Sequence, residues 1–383
     1  MTEQRVALIH DYLNQYGGAE RVLEALHAVY PNAPVYTSIY APDLMPTAYR
    51  DWDVHTSFMQ RLPGVHRHHQ PYLPLYPLAF GRLALAGYDV VLSSSSAWAK
   101  GVRKPPGAIH VCYCHSPMRF AWDFGRYAQR ERLGAAARAV VPPLLGWLRR
   151  WDVRTAGLVD AFVANSTAVA RRIREYWGRE STVIYPPVDT RGARPVPATE
   201  VDDYYLLVSR LVPYKRFDVA IRAFNALGLP LKIVGAGRAR ADLERIAGPT
   251  VEFLGAVSDE EKYRLYARCR AAVFPAEDDF GIAQVEVQAS GRPAIAFAAG
   301  GALDTVDDGA TGVLFTPQTP EALVAAVRRF ESLTFSTEEI ARRAERFGRD
   351  RFERQIRAFV SDRLAEHREA PAGRHLEATA TWN

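Results

Sequence analysis

Apolar and polar positions alternate along most of the chain in a way that predicts short buried strands separated by amphipathic helices. The predicted strands are Val6–Ile9, Asp89–Leu92, Val111–Tyr113, Phe162–Ala164, Val183–Tyr185, Tyr204–Val208, Leu231–Val234, Val251–Leu254, Ala271–Phe274 and Ala294–Phe297. The clearest predicted helices are Phe217–Leu227, Glu260–Arg268 and Ile282–Ser290. This alternation is typical of an α/β fold with doubly wound parallel sheets and right-handed crossovers.

The chain is longer than one hydrophobic core usually requires, so two domains are expected from its 383 residues. Residues 191–203 are rich in Pro, Ala and charge and predict a linker. We therefore expect one domain over residues 1–195 and a second over 196–345. A long helix is predicted over 338–366, and the aperiodic tail 367–383 is predicted to be disordered.

Composition indicates an ordinary globular protein, with 48% apolar and 24% charged residues. No apolar run approaches the roughly 20 residues that span a membrane. The N-terminal sequence MTEQRVALIHDYL lacks the pattern of an export signal. Cys112 and Cys114 alternate within a predicted strand and, with Cys269, are interpreted as buried reduced thiols. These features predict a cytoplasmic location.

Positive charge is concentrated in the first half of the chain. Residues 1–198 contain 23 Lys and Arg against 15 Asp and Glu, whereas the remainder contains 25 against 28. A basic half indicates an anionic partner, either a membrane surface or a phosphorylated acceptor, or else simply solvated arginines. Residues 138–154 combine Leu, Trp and Arg as an interfacial amphipathic helix or an ordinary packed helix would.

The most informative stretch is 271–301, which reads as strand, acidic loop, helix and strand. Backbone N–H groups at the start of the predicted helix have no intrahelical partner and suit a phosphate. Asp278 lies in the loop and Glu286 lies one turn into the helix, where carboxylates can accept hydrogen bonds from sugar hydroxyls. An anion site beside two carboxylates describes a site for a nucleotide-sugar.

Two further features of the second half fit the same ligand. Arg210 and Lys215 follow a predicted strand, where a diphosphate needs cations. Gly235 and Gly237 form a turn after the next strand. This turn lacks the third glycine of a dinucleotide fingerprint, which makes an oxidoreductase the least favoured class.

The first half has weaker signals. Gly17 and Gly18 precede a predicted helix, where they allow a close approach to phosphate or serve a tight turn. His115 follows a predicted parallel strand and is either a ligand-facing or a structural histidine. The run Ser93–Ser96 is expected to be a loop at the same edge. Asp51-Trp-Asp53 resembles a metal pattern but has no further ligand nearby, so no metal is expected.

Five motifs occur in a fixed order between residue 5 and about residue 315: HDYLNQYGGAERVLE, YCHSPMRFAWD, VANSTAVARRI with VIYPPVD, SRLVPYKRFD, and EDDFGIAQVE with GRPAIAFAAGGALDTV. On these motifs the sequence resembles the family-four retaining glycosyltransferases of GT-B fold, a group of bacterial mannosyltransferase-like enzymes of surface polysaccharides. Two departures stand out. Asp278 occupies a position where the family has Glu, and the Pro often found near Gln284 is absent.

The resemblance implies two Rossmann-like domains that face a cleft. Residues 1–195 would bind the acceptor, residues 196–345 would bind the nucleotide-sugar, and a helix over 346–366 would cross back to the first domain. Enzymes of this family retain anomeric configuration without a divalent metal, so no metal or cofactor is expected beside the nucleotide-sugar donor.

The resemblance also assigns roles to residues. Arg210 and Lys215 would hold the diphosphate, Glu286 the ribose, and Asp278 the transferred sugar, with His115 near that sugar. Asp278 would reach the sugar by an inward movement of its loop, or Glu277 would contribute. The expected donor-binding residues are Gly17, Gly18, Ser209, Gly235, Gly237, Leu254, Phe280, Gly281, Ile282 and Ala283.

The function expected from this resemblance is transfer of a hexose, with mannose from GDP-mannose favoured, to a lipid-linked or saccharide acceptor in bacterial polysaccharide biosynthesis. Peripheral contact with the anionic inner face of the cell membrane is expected, and nucleic acid is not an expected partner. Two alternatives stay open: a GT-B enzyme that hydrolyses or epimerises a nucleotide-sugar, and a catalytically weak subunit that only binds one.

Overall fold

A computed structural model describes residues 4–123 and 135–369, which divide into two compact units. The first unit takes the described residues before 186 together with 352–369, and the second takes 186–351. The first unit gives way to the second after residue 185, ten residues before the expected boundary at 195. The chain returns to the first unit after residue 351, six residues after the expected boundary at 345. Of the tail predicted to be disordered, residues 367–369 are helical and the rest lies outside the described residues.

In the first unit, the described residues form a parallel seven-stranded sheet in the order β3-β2-β1-β4-β5-β6-β7. Its strands are β1 (Val6–His10), β2 (Val35–Thr37), β3 (Val54–Thr56), β4 (Val90–Ser95), β5 (Ile109–Cys114), β6 (Ala161–Ala164) and β7 (Ser181–Val183). The helices are α1 (Gly18–Val29), α2 (Tyr76–Gly81), α3 (Arg119–Trp122), α4 (Ala135–Ala156) and α5 (Thr167–Trp177). Short 3-10 segments are Pro42–Leu44, Thr47–Asp51, Phe58–Arg61, Gln70–Leu75 and Ala99–Gly101.

Strand β1 shows why this sheet is covered on both faces. Val6 and Leu8 pack into one hydrophobic core, and Ala7 and Ile9 pack into another. Successive side chains of a strand point to opposite faces, so a strand with helices on both sides must be apolar throughout. This is the pattern from which the strand was predicted.

The serine run is a correction to the sequence prediction, because Ser93–Ser95 belong to β4 and are buried rather than forming a loop. Each hydroxyl has a hydrogen-bond partner: Ser93 contacts His110, Ser94 contacts His115, and Ser95 accepts from the backbone of Lys100. Polar groups that are hydrogen-bonded can be buried at little cost, and so the strand continues past its apolar part.

Helix α4 contains the segment 138–154, which the sequence predicted to be either an interfacial amphipathic helix or an ordinary packed helix. Leu145 and Leu148 are buried in the core of the first unit, as a packed helix requires. Trp147, on the same helix, is 43% exposed. None of the described helices is both long enough and apolar enough to cross a bilayer.

In the second unit, the described residues form a parallel six-stranded sheet in the order β10-β9-β8-β11-β12-β13. The strands are β8 (Tyr205–Val208), β9 (Leu231–Val234), β10 (Val251–Gly255), β11 (Ala272–Phe274), β12 (Ala294–Phe297) and β13 (Gly312–Phe315). The helices are α6 (Phe217–Leu227), α7 (Arg240–Glu244), α8 (Asp259–Arg268), α9 (Ile282–Ala289), α10 (Ala302–Thr305), α11 (Pro320–Glu331) and α12 (Thr337–Ala344). The 3-10 segments are Ala198–Glu200, Pro213–Lys215 and Glu345–Phe347.

The prediction of one continuous helix over 338–366 is wrong in one respect, because the chain leaves helical geometry at Gly348. Helix α12 and a 3-10 turn precede Gly348, and α13 (Arg349–Glu369) follows it. Val188 donates a backbone hydrogen bond to Phe347 at this break. The apolar stripe continues across the break, so periodicity alone did not reveal it.

Helix α13 supplies a face of the first unit's core although it is the last described element of the chain. Phe352, Ile356, Val360 and Leu364 are buried there, at helical spacing, among side chains of β1, β4 and β5. The ring of Phe352 meets that of Tyr113 edge to face, with centroids 5.6 Å apart. The first unit is therefore incomplete without residues from the far end of the chain.

Replacing Ile356 by Ala is expected to destabilise the first unit by about 2–5 kcal/mol, because it removes a fully buried side chain and leaves a cavity. Urea unfolding of the full chain measures the change. Arg354→Ala, on the exposed side of the same helix, is the control and should change stability by less than about 0.5 kcal/mol. Equal effects of the two variants would contradict a core role for this face.

Candidate functional site

The second sheet has a point where its strand order reverses, between β8 and β11. In open parallel sheets, ligands bind beside the carboxyl ends of the strands at such a point. The loop after β8 and the loop after β11 meet there, because Lys215 Nζ donates to Asp278 Oδ1 at 2.6 Å. Both side chains are 19% exposed, so the pair remains open to a ligand from solvent.

The loop after β8 is basic. Arg210 is exposed, and its guanidinium donates to the hydroxyl of Tyr214 at 3.1 Å. Arg216, the next residue after Lys215, instead pairs with Asp218 and Gln318. Arg210 and Lys215 were predicted to supply the cations of this loop. Arg210 contacts a hydroxyl, and Lys215 contacts Asp278, whereas Arg216 is engaged by Asp218 and Gln318.

The glycine turn after β9 packs against that basic loop. A Cβ at Gly235 would overlap the carbonyl oxygen of Ser209, and one at Gly237 would overlap that of Leu211. Gly235 also has a φ of +138°, a backbone conformation that residues other than glycine rarely adopt. Both glycines are needed for the approach of one loop to another. Leu254, at the end of β10, lies beside this turn, since Gly235 donates to the next carbonyl, that of Gly255.

Helix α9 begins at Ile282, followed by Ala283, with Gly281 as its N-cap in the left-handed region at φ +89°. No side chain caps this N-terminus, which is the positive end of the helix dipole. Phe280, just before the cap, is buried. The residues for which an anion site was predicted therefore form the start of a helix, whose N-cap follows Asp278 by three residues.

Glu286 is buried on α9 and is held by two side chains of α8. The hydroxyl of Tyr266 donates to Glu286 Oε2 at 3.2 Å, and Lys262 Nζ lies 3.5 Å from Oε1. Burial raises the pKa of Tyr266 well above its ordinary value, so Tyr266 stays a phenol and donates. Sequence reasoning missed both partners. Their spacing of four residues on a predicted helix was the signal that could have found them.

The first sheet has the same reversal between β1 and β4. Asp11, directly after β1, accepts hydrogen bonds from four successive backbone N–H groups, those of residues 96–99 after β4. Burial raises the pKa of Asp11, while these hydrogen bonds and His10 act in the opposite direction. Asp11 therefore fixes the two loops to each other, a role that sequence reasoning missed.

His115 follows β5 at the same edge, as predicted, and its backbone is fixed on both sides. Its N–H donates to Ser95, and its carbonyl accepts from the Asn165 amide. The imidazole Nε2 lies 2.8 Å from Ser94 Oγ. Burial lowers the pKa of His115 to about 3, so the ring is neutral at physiological pH.

Gly17 is the N-cap of α1, and Gly18 is the first residue of that helix. A Cβ at Gly17 would lie 3.3 Å from Glu20 Oε2, closer than side chains normally tolerate. A larger residue at position 17 would therefore require the buried side chain of Glu20 to shift by a few tenths of an ångström. The predicted residues thus form two groups, one at the reversal point of each sheet. Among the described residues, no cluster of three His, Cys, Asp or Glu side chains could hold a metal ion.

Two family models match consecutive parts of the chain. Glycosyltransferase Family 4 matches residues 16–191, and Glycosyl transferases group 1 matches residues 193–351. Among curated proteins, the O-antigen chain mannosyltransferase C of Escherichia coli is 29% identical over 54% of this chain, and the D-rhamnosyltransferase WbpZ of Pseudomonas aeruginosa is 30% identical over 49%. The matches span 59% and 54% of those relatives' own lengths.

Solved structures extend the similarity in fold over almost the whole chain. HepE of Anabaena in complex with UDP is 20% identical, with a TM-score of 0.67, over 94% of this chain and 100% of its own. Sucrose-phosphate synthase of Thermosynechococcus elongatus is 19% identical, with a TM-score of 0.72, over 95% and 100%. The predicted fold class, α/β with two Rossmann-like parallel sheets, is confirmed. The predicted resemblance to family-four glycosyltransferases of GT-B fold is therefore confirmed, since the chain combines a Glycosyltransferase Family 4 domain with a Glycosyl transferases group 1 domain.

Proposed function

We propose that the second unit binds a nucleotide-sugar and that the protein transfers its hexose to an acceptor hydroxyl. The observation that carries this proposal is the contact of Lys215 with Asp278 beside the uncapped N-terminus of α9. One edge of the sheet thus offers a cation, a carboxylate and the N–H groups of a helix start. A sugar linked to a diphosphate requires these three kinds of partner.

Donor binding would change the partner of Lys215. The diphosphate would replace Asp278 as the counterion of Lys215, with Arg210 as the second cation, and Asp278 would then accept hydrogen bonds from the hexose hydroxyls. Ser209, Gly235, Gly237 and Leu254 would line the site through the backbone that they bring together. Glu286, held by Tyr266 and Lys262, would accept from the ribose hydroxyls.

The transfer would proceed with retention of configuration at the anomeric carbon. The bond from that carbon to the phosphate oxygen breaks while the acceptor oxygen bonds to the same face. The departing phosphate oxygen takes the acceptor's proton, so no side chain need act as base. Arg210 and Lys215 would stabilise the negative charge of the leaving diphosphate, which makes electrostatic stabilisation and positioning the main contributions of the protein. No divalent metal would be required.

Mannose from GDP-mannose is the donor that we propose, in part because one relative is named an O-antigen chain mannosyltransferase. The acceptor would be a lipid-linked or other saccharide in bacterial polysaccharide biosynthesis. The basic first half and the exposed Trp147 on α4 support a location in the cytoplasm with contact to an anionic membrane face.

A panel of nucleotide-sugars incubated with the protein and a lipid-linked saccharide extract tests this function. We expect nucleotide release and a retained anomeric product with GDP-mannose, unchanged by EDTA. Absence of both binding and release with every donor would overturn the proposal. Free sugar or an epimer without acceptor would identify a hydrolase or epimerase instead. Donor binding without transfer to the native acceptor would identify a binding subunit.

Lys215→Ala and Arg210→Ala should each lower the rate of transfer by roughly 10²-fold or more, because each removes a cation that stabilises the leaving diphosphate. Initial rates at saturating donor, with thermal melting to verify folding, measure the effect. Arg222→Ala changes an exposed arginine of α6 in the same unit and should retain the wild-type rate. Wild-type turnover in the first two variants would exclude those residues from the site.

A further inference from the structure

Four side chains of the first unit form a continuous hydrogen-bond chain at the reversal point of its sheet. Glu20 Oε1 lies 3.5 Å from His10 Nε2, His10 Nδ1 lies 3.1 Å from Ser94 Oγ, and Ser94 Oγ lies 2.8 Å from His115 Nε2. Glu20, His10 and Ser94 are buried, whereas His115 is partly exposed. This hydrogen-bond chain therefore leads from the buried carboxylate of Glu20 to the partly exposed residue His115.

With Glu20 ionised and His10 neutral, the hydrogen positions along this hydrogen-bond chain follow from which atoms can donate. A carboxylate only accepts, so the hydrogen between Glu20 and His10 must be on His10 Nε2. A neutral His10 then has a bare Nδ1, which accepts from the Ser94 hydroxyl. Because that hydroxyl hydrogen is used, Ser94 Oγ can only accept from His115, whose Nε2 must carry hydrogen. His115 Nδ1 is left as an acceptor.

We propose that Glu20, His10 and Ser94 are positioning residues that hold His115 in the Nε2–H tautomer, so that Nδ1 presents a lone pair to a ligand hydroxyl. The proposal deepens the proposed function, on which its ligand rests: the hydroxyl belongs to the acceptor saccharide. It assigns a task to Glu20 of the GGAE motif and to the buried serine run, neither of which the donor site uses.

A charged His10 would give the opposite result. It would donate from both nitrogens, the Ser94 hydroxyl would turn towards His115, and His115 would present an N–H instead. The proposal therefore requires a neutral His10, and the tautomer of His115 shows which form of His10 is present. Neutral His115 is consistent with its burial, which lowers its pKa to about 3.

The arrangement has a consequence for ligand selection. A ring nitrogen with a lone pair binds a hydroxyl as hydrogen-bond acceptor and offers nothing to a ligand atom that can only accept. A saccharide hydroxyl fits this position, while a deoxy or O-methyl analogue at the same carbon does not. Discrimination between saccharides with and without this hydroxyl would thus depend on Glu20, His10 and Ser94, which do not touch the ligand.

Nitrogen NMR of the full chain labelled with ¹⁵N-histidine tests the proposal without any sugar. The His115 signals, assigned by their loss in His115→Asn, should show a protonated Nε2 and a bare Nδ1 near neutral pH. A protonated Nδ1 in the wild-type protein would overturn the proposal. Because this measurement needs no turnover, its outcome is distinct from that of the nucleotide-sugar panel.

Two variants test whether the chain of contacts sets the tautomer. In Ser94→Ala the link is cut, and we expect His115 to populate both tautomers and kcat/KM to fall about tenfold. Glu20→Gln can donate as well as accept, and it should also mix the tautomers. An unchanged pure Nε2–H signal in both variants would show that these residues do not set it.

Ser93→Ala is the matched control. Ser93 is a buried serine of the same strand that contacts a different histidine, His110, at 2.8 Å. Its replacement removes an equivalent hydrogen bond, so it should cost similar stability while leaving the His115 tautomer and kcat/KM unchanged. If Ser93→Ala and Ser94→Ala alter the His115 signals equally, general loosening of the strand explains both and the proposal fails. Should Ser94→Ala not fold, the wild-type spectrum still decides.

Discussion

The reversal of strand order is the constraint on which the polar architecture of both units depends. Crossovers on the two sides of the reversal run to opposite faces of the sheet, so a gap opens between two neighbouring loops. Each unit bridges this gap with side chains: Asp11 in the first, and the Lys215–Asp278 pair in the second. The first bridge joins a buried carboxylate to backbone N–H groups. The second joins two partly exposed side chains, and the proposed diphosphate would replace Asp278 as the partner of Lys215.

Much of this arrangement could be predicted from the sequence because it follows from local rules. Apolar runs between glycine-rich or charged loops located most strands, and helix α6 was predicted with its observed bounds. Parallel pairing then brings strand ends to one edge, which is why Arg210 and Glu286 were predicted to belong to one site. Asp278 was selected for its position, although its partner Lys215 was expected to serve the diphosphate alone.

What escaped prediction depends on contacts between distant segments. The serine run was misread because its burial is stabilised by His10, His110 and His115. Gly300 and Gly301 were not selected, although side chains there would overlap the backbone of Asp278 and Phe280. A local sequence pattern cannot predict such contacts between distant segments. The contacts of Gly300 and Gly301 also restrict the inward movement expected of the Asp278 loop, since the Gly301 N–H donates to the Asp278 carbonyl at 2.9 Å.

Helix α13 has a consequence for the order in which the protein folds during synthesis. Domains generally fold as units, N-terminal first, as the ribosome extends the chain. Here the core of the first unit lacks a face until Phe352–Leu364 have been made, whereas the second unit is continuous from 186 to 351. The second unit is therefore the first to have all its residues available. Until α13 has been made, nascent β1, β4 and β5 expose the apolar surface that it covers, and such surface is prone to aggregate.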